Sequence, residues 1–235
     1  MATPTGKLFL IPTFLGNANN ELLSPYNLSV IHRLDEFIVE NEKPARAFLK
    51  ATKTPIHQND FVFHLMGKHA DRADFPSYLR ACKTGKDIGL LSDAGLPCVA
   101  DPGYELVRLA QDQNIEVVPL VGLSSIMMAL MASGFNGQSF RFHGYLPHDQ
   151  QRKRKKLKQA LSDVSRNETQ IFIETPYRNA AFISELKQSF PASTRLCVAV
   201  DISLETEEIR TKPLKNWSAN ETDLHKRPAV FLVGL

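Results

Sequence analysis

The chain has 235 residues, 43% of them hydrophobic, and its 28 lysines and arginines against 25 aspartates and glutamates leave a formal net charge of +3. That length buries enough apolar surface to fold as one large or two ordinary domains without staples, and the odd, scattered Cys82, Cys98 and Cys197 exclude a disulfide framework or a cysteine zinc motif. The apolar stretch Leu8 to Ile11 ends at Pro12, far short of a signal-peptide core or a membrane span, so a soluble cytoplasmic protein with no membrane attachment is expected.

"KLFLI" predicts a short buried strand stopped by Pro12, followed by the loop "PTFLGN", where Gly16 and Asn17 suit positive φ. "EFIVE" reads as a strand, "PARAFLKA" as a helix opened by proline, "DFVFHLM" as a strand, and "DFPSYLRACKTG" as a helix closed by Gly85. "DIGLLS" and "NIEVVPL" flank a helix that starts near Tyr104. Such a strand, helix, strand unit pairs its strands in parallel, and the two apolar runs predict burial on both faces. "IMMALMAS" is an apolar helix ended by Gly134. Beyond it strands dominate: "SFRFHGYL", "TQIFIE", "RLCVAVDIS", "LETEEIRT" and "PAVFLVGL", interrupted by a basic helix in the 150s and by "YRNAAFISELKQ". The expected fold class is α/β with two α/β domains, residues 1–119 around a parallel-rich sheet and 120–235 around a mixed one. The stretch 216–227 reads as the least regular.

Three loops fall where ligands gather in open α/β sheets, beyond strand carboxyl ends: "IPTFLGN", "SDAGLPCVADPG" and "VGLSS". In the second, Asp101 with Pro102 suits a helix start. Asp93 is either a turn aspartate bonding its own backbone or a ligand carboxylate. Ser124 and Ser125 either cap the next helix or offer N–H groups to an anion. Six of the eight residues in "QRKRKKLK" (151–158) are cationic, and Leu157, Ala160, Leu161 and Val164 form an apolar stripe, which reads as a basic surface helix. There is no G-x-G-x-x-G after the first strand, no P-loop, no G-x-S-x-G elbow and no histidine pair at helical zinc spacing, so no metal is expected.

"LFLIPTFLGN", "SDAGLPCVADPGYELVR", "VVPLVGLSS", "FHGYLP", "IFIETPYR" and "PAVFLVG" follow the order and spacing of the tetrapyrrole methylase superfamily. The chain most resembles the branch that methylates cytidine 2′-hydroxyls of small-subunit ribosomal RNA. The resemblance implies a homodimer that holds S-adenosylmethionine in a cleft between two α/β domains. On the positions matching the family's motifs, it implies cofactor contacts from Pro12, Thr13, Asp93, Ala94, Gly95, Val99, Ser124, Ser125, Thr175, Pro228 and Ala229. A ribose hydroxyl must lose its proton, and Glu40 or Glu174 is the implied catalytic carboxylate. RNA, free or in the small ribosomal subunit, would meet Lys43, Arg152, Lys153, Arg154, Lys156 and Arg178.

Four motifs depart from the branch. Its E-D-T-R is Glu40, Asn41, Glu42, Lys43 here; its E-S-T-H-R has Tyr177 for histidine with Arg178 kept; its A-R-E-L-T-K is Ala199 to Leu204 without either cation; and its P-G is Val121 and Gly122. Arginine and lysine position an RNA backbone, so their loss weighs against a ribosomal RNA substrate: either the 152–158 run supplies the basic surface instead or the substrate has changed. A methyltransferase of another acceptor, or a non-catalytic module binding cofactor or RNA, keeps the same cofactor motifs.

Overall fold

The computed structural model describes residues 5–67, 70–218 and 223–235, which form two compact units dividing at Ser124 and Ser125. The first contains β1 (Leu8–Ile11), α1 (Pro25–Ile31), β2 (Glu36–Val39), α2 (Glu42–Ala51), β3 (Val62–Leu65), α3 (Phe75–Tyr78), α4 (Arg80–Lys83), β4 (Ile88–Leu91), α5 (Tyr104–Asp112) and β5 (Val117–Pro119). Its sheet has the order β3-β2-β4-β1-β5, and every pair is parallel. Side chains alternate across it with the two-residue period of a strand. Phe9, Ile11, Phe37, Val39 and Leu91 face one layer with Val30, Ile31, Phe48 and Leu49 of α1 and α2. Leu8, Ile38, Ile88 and Leu90 face the other with Phe75, Cys82, Leu106 and Ala110.

β4 is buried throughout, as its apolar run predicts. β5 is not: it is an edge strand and its valines are only half-buried. The single helix expected over residues 74–85 is two, because the backbone at Leu79 (φ −94°, ψ 5°) leaves helical geometry between α3 and α4. α1 was absent from the sequence reading, although Ser24 and Pro25 mark its start: the Ser24 hydroxyl accepts the Asn27 N–H at 3.0 Å, and proline takes the first helical position. Neither Gly16 nor Asn17 adopts positive φ.

The second unit contains α6 (Ser125–Ser133), β6 (Phe140–Tyr145), α7 (Gln150–Val164), β7 (Thr169–Ile173), α8 (Asn179–Ser189), β8 (Arg195–Val200), β9 (Glu208–Pro213) and β10 (Ala229–Gly234). The sheet order is β6-β7-β10-β8-β9, with β6 parallel to β7 and the other pairs antiparallel. Central β10 sends Ala229, Phe231 and Val233 into a core with Leu157 and Ala160 of α7 and with Phe182, Ile183 and Leu186 of α8. Part of the stretch expected to be irregular is anchored there: Trp217 is 2% exposed and its indole N–H donates to the Leu196 carbonyl at 3.2 Å. Residues 219–222 of that stretch lie outside the described residues.

The division at 124/125, rather than 119/120, has a local cause. The Leu120 N–H donates to the Leu10 carbonyl at 2.9 Å, and the Asn27 side-chain amide donates to the Val121 carbonyl at 2.6 Å. Gly122 lies so close to Pro12 that a Cβ there would overlap the proline ring. The loop after β5 is therefore bound into the first unit. Among the described residues no helix is long and apolar enough to cross a membrane.

Candidate active site

In the first unit, chain connections diverge at the carboxyl ends of neighbouring β2 and β4: β2 leads on to β3 on one side of the sheet, β4 to β5 on the other. Such a switch point opens a crevice. Glu40 follows β2, and Ser92 and Asp93 follow β4. The Asn41 side-chain amide bridges the point, donating to Asp93 Oδ2 at 2.6 Å.

Next to it, all three loops singled out in the sequence come together. The Thr13 N–H donates to the Gly95 carbonyl at 2.9 Å, and the Ser92 hydroxyl donates to the same carbonyl at 2.6 Å. With the Ser92 proton so used, the 3.3 Å contact between Thr13 and Ser92 must have the Thr13 hydroxyl as donor. Gly95 has φ +78°, and a Cβ on it would sit 2.9 Å from Leu15 Cδ2 and 3.5 Å from the Leu123 carbonyl oxygen. The glycine thus permits both the left-handed turn and the close approach. Pro12 and Thr13 are buried, while Asp93, Ala94 and Val99 are exposed. Thr13, Phe14, Asn17, Pro44, Phe48 and Asp93 line a cavity of about 330 Å³ beside them. Lys43 is exposed in the first turn of α2.

Between Asp93 and α5 the backbone is strained. Cys98 and Ala100 hold φ of +66° and +62°, each costing roughly 1–3 kcal/mol in a non-glycine residue. The helix is capped by Gly103 at φ +117°, not by Asp101 as its sequence context implied. Asp101 belongs instead to an acidic group with Glu40 and Asp93. Burial first, then the charges of Glu40 and Asp93, push its carboxyl up to about 7. Its Oδ2 is buried without a hydrogen-bond partner. Burial, then Asp93, raises Glu40 as well. Among the described residues none of the three carboxylates has a cationic partner within 4 Å, so a ligand carrying positive charge and hydroxyl donors meets their unmet demand. Asp101, Asn41 and Ser92 went unrecognised as site residues. The only signal for Asp101 was its D-P-G context, which reads equally well as a helix start.

In the second unit the candidates line one end of the sheet. β7 pairs with β10 through Ile173 and Val230, so Glu174 and Thr175 leave β7 beside Pro228 and Ala229, which enter β10. Glu174 is 7% exposed, and its Oε1 lies 3.1 Å from Arg178 Nε but out of line for a hydrogen bond. The Arg178 guanidinium also donates to His148 Nδ1 at 3.0 Å. Asp201, which follows β8, accepts from Arg227 Nε at 2.7 Å and from the Thr206 hydroxyl at 2.8 Å. Ser125 opens α6.

On α7, Arg152, Arg154 and Lys156 are exposed as expected. Lys153 corrects the reading: it is 2% exposed and turned inward, its ammonium 2.9 Å from Glu185 on α8. It lies four residues before Leu157 and seven before Ala160, on the buried helical stripe, so the run is basic on one face only. No cluster of metal-ligating side chains occurs among the described residues.

The model of the tetrapyrrole (corrin/porphyrin) methylases matches residues 14–217. A ribosomal RNA small subunit methyltransferase I of Pseudomonas aeruginosa is 30% identical over 233 residues, covering 97% of this chain and 78% of that protein. The Bacillus subtilis protein of the same name is 32% identical over 185 residues, with 59% of its length covered. Among solved structures, a uroporphyrin-III C-methyltransferase of Thermus thermophilus complexed with S-adenosylhomocysteine aligns over 97% of both chains (TM-score 0.62, 15% identity). The methyltransferase CobJ aligns over 98% of this chain and 94% of its own (TM-score 0.66, 15% identity). At those identities the structures speak for the fold alone, whereas the sequence match is extensive: this chain belongs to the tetrapyrrole methylase family.

Proposed function

We propose that the protein transfers the methyl group of S-adenosylmethionine to a ribose 2′-hydroxyl of small-subunit ribosomal RNA. The observation that carries the cofactor assignment is the meeting of three separated loops around Thr13, Gly95 and Gly122, beside carboxylates that lack cationic partners. S-adenosylmethionine brings an ammonium, a sulfonium and ribose hydroxyls, the charge and donors this group is short of, and a carboxylate suited to backbone N–H groups. In this reading Pro12, Thr13, Asp93, Ala94, Gly95, Val99 and Ser124 of the first unit hold it. When bound, the cofactor supplies an electrophilic methyl on sulfur. The acceptor assignment rests on the named function of the relatives and on the exposed cations of α7.

Of the two candidate bases, Glu40 has the better environment. Desolvation and Asp93 raise its proton affinity, which makes it the stronger acceptor for a ribose hydroxyl proton. Glu174, held against Arg178, orients the acceptor in this scheme. A homodimer and a cytoplasmic location belong to the same proposal. For the dimer, α6 is apolar nearly all round yet leaves Met131 83% and Met127 41% exposed, the composition of a helix that another surface covers. The test is transfer of tritiated methyl from S-adenosylmethionine to small ribosomal subunits lacking the modification. Label mapped to a ribose oxygen is the expected result; no incorporation by protein that binds the cofactor overturns the acceptor assignment.

A further inference from the structure

We propose that Tyr177, with the His225 ring packed against it and Arg178 next to it in the chain, is a stacking platform that receives an unpaired base of the RNA; this rests on the acceptor reading above. Tyr177 is 72% exposed, three residues past the buried Glu174 that starts the β7–α8 loop. A large aromatic ring left in water at that place is not serving the core. It is also not loose: the His225 ring packs against it at a steep angle, 5.9 Å between centroids and 78° between planes, which steadies the exposed tyrosine ring. Arg178 is fixed by Glu174 on one side and by His148 on the other, which spares a bound ligand the entropy of ordering a long cationic side chain.

Charge complementarity selects the occupant. The basic face of α7 starts just past His148, with Arg152, Arg154, Lys155, Lys156 and Lys158 exposed; of the carboxylates nearby, Glu174 and Asp201 are paired with Arg178 and Arg227, Asp149 caps α7, and Asp223 accepts the His225 backbone N–H. An aromatic face beside fixed cations, at the head of a cationic helix, suits a nucleobase with its flanking phosphates. Tyr145, 56% exposed, ends β6 in register with Ile173 and so places a second aromatic ring at the same end of the sheet.

The test uses the full chain and small-subunit ribosomal RNA carrying 5-iodocytidine, which cross-links to aromatic side chains it stacks on. Irradiation is expected to attach RNA to the peptide containing Tyr177. In parallel, Tyr177→Ala is expected to weaken RNA binding and to raise the KM for small subunits about tenfold, as loss of one stacked base does, with cofactor affinity unmoved. Tyr177→Phe restores both values, because the ring and not the hydroxyl is used. RNA binding and KM within twofold of wild type in Tyr177→Ala, with no cross-link at that peptide, overturn the proposal. Absence of methyl transfer in the wild type would instead strike the acceptor assignment, while the cross-link and the binding measurement still decide the platform.

Discussion

The strand ends of the two units handle negative charge in opposite ways. In the first, half-buried Glu40 and Asp101 stand with exposed Asp93 without a cationic partner among the described residues, the Asn41 amide donates to Asp93 alone, and burial together with their neighbours' charge pushes the carboxyls of Glu40 and Asp101 up. In the second, buried carboxylates have basic partners: Glu174 has Arg178, Asp201 has Arg227, and Asp163 has Arg141 and Arg166. A buried charge left unpaired costs stability, and one that is paired costs most when its partner is removed. The first unit is therefore held ready for something cationic, while the second is satisfied internally and turns its remaining positive charge to solvent.

Removing an arginine from the second unit should give the largest effect. Arg227→Ala strands Asp201, whose side chain is 8% exposed, and is expected to cost about 3 kcal/mol in urea denaturation. A loss below half a kcal/mol would break the contrast. Lys153→Ala is expected to cost about 2 kcal/mol, less because Glu185 is 31% exposed and can rehydrate. Asp101→Asn should act in the opposite sense. With its carboxyl raised to about 7, the folded protein binds more protons than the unfolded chain between about pH 4 and 7, so this residue's contribution to stability falls as pH rises through that window. The variant is expected to be more stable than wild type by about 1–2 kcal/mol at pH 8, the partial exposure of the group being allowed for, and equal to it near pH 4, by melting at the two pH values. Smallest in stability is Lys156→Ala, within about 0.5 kcal/mol of wild type, yet it should weaken RNA binding and lower the salt slope by about one.

All ten strands among the described residues were legible in the sequence, since each is a short apolar or alternating run bounded by proline, glycine or polar residues, and a period of two survives in runs this short. What periodicity could not give was the break at Leu79 or the inward turn of Lys153. The first is a change of backbone dihedral in the middle of a good helical pattern. The second is invisible because a lysine among five other cations looks like surface until its register with Leu157 and Ala160 is weighed. The convergence of Pro12, Gly95 and Gly122 was legible only as three separate loops, because their contacts join residues far apart in the chain. Asp101 was misread for a different reason: aspartate before proline serves equally well as a cap, and only the left-handed Gly103 shows that the helix begins later.

The placement of β1 has a consequence for the birth of the molecule. Leu8 pairs with Ile88 on one side and with Val117 on the other, so β1 leaves the ribosome well before either of its neighbours in the sheet. Closing such wide loops is slow: β1 has no flanking partner until Leu91 has emerged, and only one until Pro119 has. The other sheet waits at the opposite extreme, for its central β10 spans Ala229–Gly234 and must slot between β7 and β8 already in place. Nascent chains shortened ahead of β10 should therefore carry a protease-resistant first half joined to a digestible second.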